Sequence, residues 1–262
     1  MNILKFFYDG IRAQVRNARG WIYLGWMDFT VPYRKTFIGP IWEILSAVIW
    51  VTGLSIVFYT PDFADISSYV AYVAAGIVIF GYISHILNST PPLYHSAANT
   101  MRTVKISPAF FILRNLVLNL IRFACQLIVA FVAVAYFASL TDMVWLDLFL
   151  GTFVVLFTSI WVSLLFAAVG ARFPDIVQVV TAITRALLFV TPVFWTVGDS
   201  SLRNIIATYN PLTYFLEVMR APMLGDAVSM RAWAVVIITN LVLIPVALLT
   251  YRFTRHRILN WV

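Results

Sequence analysis

"YNPLTYFLEVMRAPML", residues 209 to 224, stands between two strongly apolar stretches and carries a glutamate, an arginine and two prolines. It is too short to cross a bilayer, which takes roughly 20 apolar residues, and too apolar for an ordinary loop. Asn210 is placed to cap a helix, Pro211 to begin it and Pro222 to end it near Ala221. About 30 residues lie between the flanking stretches, more than a turn needs and fewer than a domain. The segment therefore reads as a re-entrant pair of short helices over about 200–228, dipping into the outer half of a membrane; the competing reading is an amphipathic hairpin lying flat on the outer surface. Glu217 and Arg220, three apart, can pair and lower the cost of placing charge there. With Tyr209, Pro211, Tyr214 and Phe215 they form a candidate exit gate.

The rest of the chain supplies the membrane. Of 262 residues, 62% are hydrophobic and only 11% charged, whereas a soluble domain carries about a quarter charged residues. Six apolar windows are long enough to span: about 38–59, 69–88, 110–138, 145–169, 176–197 and 231–251. The expectation is an all-α polytopic membrane protein with one permease domain over 1–262. It comprises an N-terminal interfacial amphipathic helix within 1–30, spans one to five over 38–197, an external re-entrant hairpin at 198–230, a sixth span at 231–251 and a tail at 252–262. No signal peptide is read at the start. The one cysteine, Cys125, lies in an apolar run and excludes an intrachain disulfide.

A net charge of +7 could suggest nucleic acid, but the charges follow topology instead. Segments 1–37, 89–114, 170–175 and 252–262 hold 13 of the 18 Lys and Arg, while the loops 60–68 and 139–147 hold Asp62, Asp65, Asp142 and Asp147 and no basic residue. The positive-inside rule then places both termini in the cytoplasm. Near the start, Ile3, Leu4, Phe7, Ile11, Val15, Ala18 and Ile22 share one helical sector opposite Lys5, Arg12, Arg16 and Arg19. Such a helix lies on the membrane, its basic face on anionic lipid and Trp21, Tyr23 and Trp26 in the interfacial belt.

Pro32 and the Gly39-Pro40 pair set a bend into the first span, and Arg34 and Lys35 beside it are candidate phosphate contacts. Glu43 is unusual for hydrocarbon and is expected to face protein or water. Between spans two and three, Pro91, Pro92 and Pro108 punctuate a polar helix of about 94–106 carrying Arg102 and Lys105. After span four, "VGARFPDIVQVV" makes an inner turn in which Asp175 is placed to cap the next helix. Arg122 and Arg185 sit well inside spans, where a central arginine costs about 2.5–3.5 kcal/mol, so each needs a polar neighbour.

Catalytic chemistry is not visible. No G-x-x-x-x-G-K-[ST] phosphate loop occurs, so ATP is not hydrolysed in that manner by this chain. His85, His95 and His256 are not spaced as metal ligands, H-E-x-x-H and G-x-S-x-G do not occur, and the inner loops hold no D-x-x-D carboxylate cluster. The spans also lack the paired Gly and Pro breaks of inverted-repeat carriers.

Five blocks, "YRKTFIGPIW", "NTMRTVKISPAFFILRN", "GARFPDI", "FVTPVFW" and "YNPLTYFLEVMRAPML", fall in the right order relative to six spans. Together they resemble the membrane subunit of type-2 ABC exporters for polysaccharides, the O-antigen and capsule permease family. "EILSAVIW" departs from the family by lacking a proline a few residues after "IGPIW". The resemblance implies a homodimer in the bacterial inner membrane, two cytoplasmic ATPase subunits that carry the ATP and magnesium, no cofactor on this chain, and a lipid-linked, O-antigen-like polysaccharide moving outward between the protomers. It makes Arg102, Lys105, Arg172, Phe173, Pro174 and Asp175 ATPase-coupling candidates, and Arg34, Lys35 and Arg185 lipid-phosphate contacts. Aromatic rings that stack on sugar faces could line the path: Tyr59, Tyr82, Phe123, Tyr136, Trp161 and Trp195 are the candidates. Capsule or teichoic acid export, efflux of a small molecule or lipid by the same fold, and a membrane-embedded glycan- or lipid-modifying enzyme are the alternatives.

Overall fold

The computed structural model describes residues 14–59, 65–104, 106–138, 140–196 and 201–262. Regular structure among them is entirely helical. Helix α1 (Ala18–Thr30) is followed by a 3-10 turn (Val31–Tyr33), then α2 (Ile41–Phe58), α3 (Ile66–Ser89), two short pieces α4 (Leu93–Ser96) and α5 (Ala98–Thr103), α6 (Pro108–Phe137) and α7 (Trp145–Arg172). The chain continues through α8 (Ile176–Val190), α9 (Ser201–Tyr209), α10 (Pro211–Met223), α11 (Met230–Thr254) and α12 (Ile258–Trp261). Residues 1–13 of the expected interfacial helix, along with Asp62 and Lys105, lie outside the described residues.

Each of the six apolar windows holds a helix. Five of these helices, α2, α3, α6, α7 and α11, are long and apolar enough to cross a membrane. The window at 176–197 corresponds instead to the 15 residues of α8 followed by non-helical backbone from Thr191. Thr191 precedes Pro192, and a residue before proline is pushed out of the helical region; its ψ of 139° shows this.

The core is organised around α3, which packs on α2, α6, α7, α8 and α10. Ala71, Ala74 and Ala75 are fully buried and Gly76 lies beside them, so small residues let neighbouring helices approach closely. Asp65 caps α3 by accepting from Ser68 N at 2.8 Å, and these hydrogen bonds from Ser68 hold its carboxyl below the usual range. Along α7 and α11 the outward rows Leu146, Phe149, Phe153, Ile238, Leu241 and Val242 stay exposed, as a lipid solvent permits. Helix α1 lies against α6, where Asp28 holds Arg114 through two hydrogen bonds of 2.5 Å.

Three local expectations are corrected. The single polar helix at 94–106 is two pieces, α4 and α5, bent at Ala97. Asp175 occupies the N-cap position of α8 without a side-chain bond to it; its own backbone is already helical (φ −62°, ψ −21°), whereas a capping residue is typically extended. Helix α10 runs past Ala221 to Met223, with Pro222 inside its last turn.

Candidate translocation and coupling sites

Polar side chains on apolar helices reveal what each face meets. Glu43, in the first turn of α2, faces protein: its Oε1 accepts from the Tyr33 hydroxyl at 2.7 Å and lies 3.2 Å from Arg122 Nε of α6, while Oε2 accepts from Gln126 at 3.3 Å. Burial and the Glu43 acceptor push the Tyr33 hydroxyl up to about 12. Arg122 thus finds the polar neighbour its position requires. The cluster borders a cavity of about 360 Å³ lined also by Ser46, Trp50, Ser84 and His85.

A second polar group secures the broken end of α8. Pro192 O accepts from Arg220 Nη1 at 2.6 Å, Phe194 O from the Tyr69 hydroxyl at 2.6 Å, and Trp195 O from the Tyr72 hydroxyl at 3.0 Å. Asn210 donates to the Thr191 hydroxyl at 2.8 Å while accepting from Leu212 N to cap α10, with Pro211 at the first position as its sequence suggests. The Arg220 guanidinium also sits 3.9 Å from the Tyr72 ring centroid. These partners satisfy carbonyls that a continued helix would have occupied.

The expected Glu217 and Arg220 pair does not form. Arg220 turns to Pro192 O, and Glu217 accepts from Ser229 N at 3.2 Å, capturing a free amide at the start of α11. Of the other gate candidates, Tyr209 and Pro211 are exposed, whereas Tyr214 and Phe215 are buried in the core, the Tyr214 hydroxyl donating to Thr208 O.

Two glycines measure how deep this region sits. A Cβ on Gly151 would come within 2.0 Å of Val218 O, and one on Gly76 within 2.6 Å of Val193 O. Gly151 is six residues into α7 and Gly76 ten into α3, so at 1.5 Å per residue α10 meets α7 about 9 Å, and Val193 meets α3 about 15 Å, from the ends of those helices.

The channel candidates divide. Tyr82 and Phe123 are 2% exposed and pack against each other with centroids 4.7 Å apart, the Tyr82 hydroxyl donating to Ser159. Tyr59 and Tyr136 are exposed, and Trp161 and Trp195 are half-buried. Arg34 and Lys35 are exposed at the elbow before α2. Arg185 lies nine residues into α8, exposed, with no ion pair or hydrogen bond among the described residues, whereas the other exposed arginines without such partners lie within a turn of a helix end. The coupling candidates Arg102, Arg172, Phe173, Pro174 and Asp175 are all exposed, and Lys105 lies outside the described residues. Sequence reasoning missed Tyr69, Tyr72 and Gln126, whose hydroxyls and amide are ordinary in apolar helices until their distant partners are known.

The described chain is thus a bundle of apolar helices with a latched helix break after α8 and exposed cations at the α5 and α7–α8 turns. Consistent with this, residues 19–224 match ABC-2 type transporter, and the chain belongs to that family. It is a transport permease subunit whose family pairs with an ATPase. No individual curated protein matches the chain.

Proposed function

We propose that two copies of this chain, with two ATPase subunits holding ATP and magnesium, export a lipid-linked polysaccharide of the O-antigen type outward across the bacterial inner membrane. The path runs between the copies, both termini lie in the cytoplasm, and α8 serves as the fifth of six spans. The observation that carries this reading is Arg185. Its row on α8, with Gln178, Ala182 and Phe189, is exposed, and a lipid-facing arginine at that depth costs about 2.5–3.5 kcal/mol. A water-filled path removes the cost and offers a cation to a phosphate or a sugar hydroxyl. Arg34 and Lys35, open at the elbow, meet the pyrophosphate of the lipid carrier first; a fork-shaped guanidinium suits phosphate oxygens.

The depth of the Gly151 and Gly76 contacts supports a re-entrant α9–α10 pair over a hairpin lying flat on the surface. Backbone that leaves the helix at such depth is stable only inside protein or beside water, and the latched 191–196 segment meets that condition. Exposed Tyr209 then stands at the exit. Deleting the gene and assaying surface glycan tests the cargo. Loss of surface polymer with lipid-linked polymer accumulating inside is the expected result; unchanged surface glycan contradicts it.

A further inference from the structure

Two pieces of chain far apart in sequence meet on the inner end of α7. The first is α4–α5: Gly170 of α7 approaches the Pro91 backbone so closely that a Cβ would lie 2.1 Å from its carbonyl oxygen, and Tyr94 and Met101 are buried against Ala167 and Ala171. The second is the C-terminal segment. Ile258 is fully buried in the same cluster, with Trp261 and Val262 packed on its edge. Two cations close the junction. Arg102 Nη2 of α5 donates to Val262 O at 2.6 Å, and the Arg172 guanidinium lies 5.1 Å from the Trp261 ring centroid and 5.4 Å from that of Phe173.

The surface made in this way is cationic. Arg102, Arg172, Arg252, His256 and Arg257 are exposed, and the only acidic side chain in 93–104, 170–175 and 252–262 is Asp175. Arg172 has no ion-pair partner among the described residues, and Arg102 is held by the main-chain oxygen of Val262. Anionic lipid would accept mobile cations equally well. These are instead fixed by a buried apolar cluster, a backbone carbonyl and an indole face, a fixed pattern suited to the fixed carboxylates of a protein surface.

We propose that the ATPase dock is composite: the C-terminal segment Arg257–Val262 is its second half, and Trp261 with Val262 positions Arg102 and Arg172 for an acidic face of the ATPase. The proposal rests on the reading of α5 and the Arg172–Asp175 turn as the coupling elements. It adds a function for the segment: it braces α5 to α7, the helix that reaches Val218 of α10 at its other end. A push on α5 then moves α7 instead of hinging at Ala97, because transmission needs a packed, rigid element.

The test uses the full chain co-expressed with its ATPase, in wild type and in Trp261→Ala, Trp261→Phe, Arg257→Glu and Arg102→Glu variants. ATPase retained on purification, basal hydrolysis, and glycan exported per ATP are measured. Trp261→Ala is expected to weaken ATPase retention, less than Arg257→Glu does, and to lower export per ATP in the complex that remains about tenfold, with Trp261→Phe restoring most of both; a merely structural loss would lower hydrolysis per retained ATPase and export together. Arg257→Glu is expected to lower ATPase retention in a salt-sensitive way. Normal export per ATP in Trp261→Ala together with full retention in Arg257→Glu overturns the proposal. If Trp261→Ala does not insert, the Arg257→Glu arm decides alone. A defect confined to binding of anionic vesicles assigns the segment to lipid and likewise overturns it. Arg102→Glu impaired while the other variants are normal removes only the brace, whereas Arg102→Glu normal in every measure removes the coupling reading itself.

Discussion

Arg122 and Arg185 are both arginines set within apolar helices, and the structure treats them oppositely. Arg122 on α6 is enclosed beside Glu43, with Tyr33 and Gln126 completing the carboxylate's partners. Arg185 on α8 is open and unpartnered among the described residues. The first charge ties the elbow, α2 and α6 together and belongs to the framework. The second belongs to whatever α8 faces, because nothing among the described residues balances it.

The largest effect should come from breaking the enclosed pair. Glu43→Ala strands Arg122 and is expected to destabilise the protein by about 3 kcal/mol, read as a lower thermal unfolding midpoint in detergent; Glu43→Met with Arg122→Met should recover most of that loss. A smaller effect is expected from Tyr33→Phe, which removes one hydrogen bond worth about 1 kcal/mol. Tyr33 also gives the cluster a pH signature. Its hydroxyl is raised from 10.0 to about 12 in the folded protein, so its contribution is fully present below the unfolded value and is lost as pH rises from there through the folded one. Unfolding midpoints should therefore fall over that alkaline range in wild type, and by less in Tyr33→Phe. The smallest stability effect belongs to Arg185→Leu, expected within about 0.5 kcal/mol of wild type, while export drops. A large destabilisation there would show that Arg185 is framework after all and would erase the contrast.

Much of this architecture is legible in the sequence because hydropathy sets span length directly: all six apolar windows contain helices. The window at 176–197 merges α8 with its broken end because Pro192, Val193, Phe194 and Trp195 are as apolar as the helix before them. The cap at Asn210 with Pro211 is local chemistry and reads correctly. Arg220 is misassigned for the opposite reason. Spacing points it at Glu217, but its partner is a carbonyl 28 residues away that is free only because α8 ends early. The bend at Ala97 and the C-terminal brace are tertiary facts, set by the close contact at Gly170 and by the burial of Ile258, and no periodicity carries them.

The central claim is that the open row of α8 faces water and not lipid. Single cysteines at Gln178, Ala182, Arg185 and Phe189, and at the buried positions Val180 and Thr184, placed in a Cys125→Ala background, test it with a membrane-impermeant maleimide during ATP turnover. Labelling along the open row with protection at Val180 and Thr184 is the predicted result. Protection of Ala182 and Arg185 from that reagent, with ready labelling by a lipid-soluble one, would place the row against lipid and contradict a path along α8.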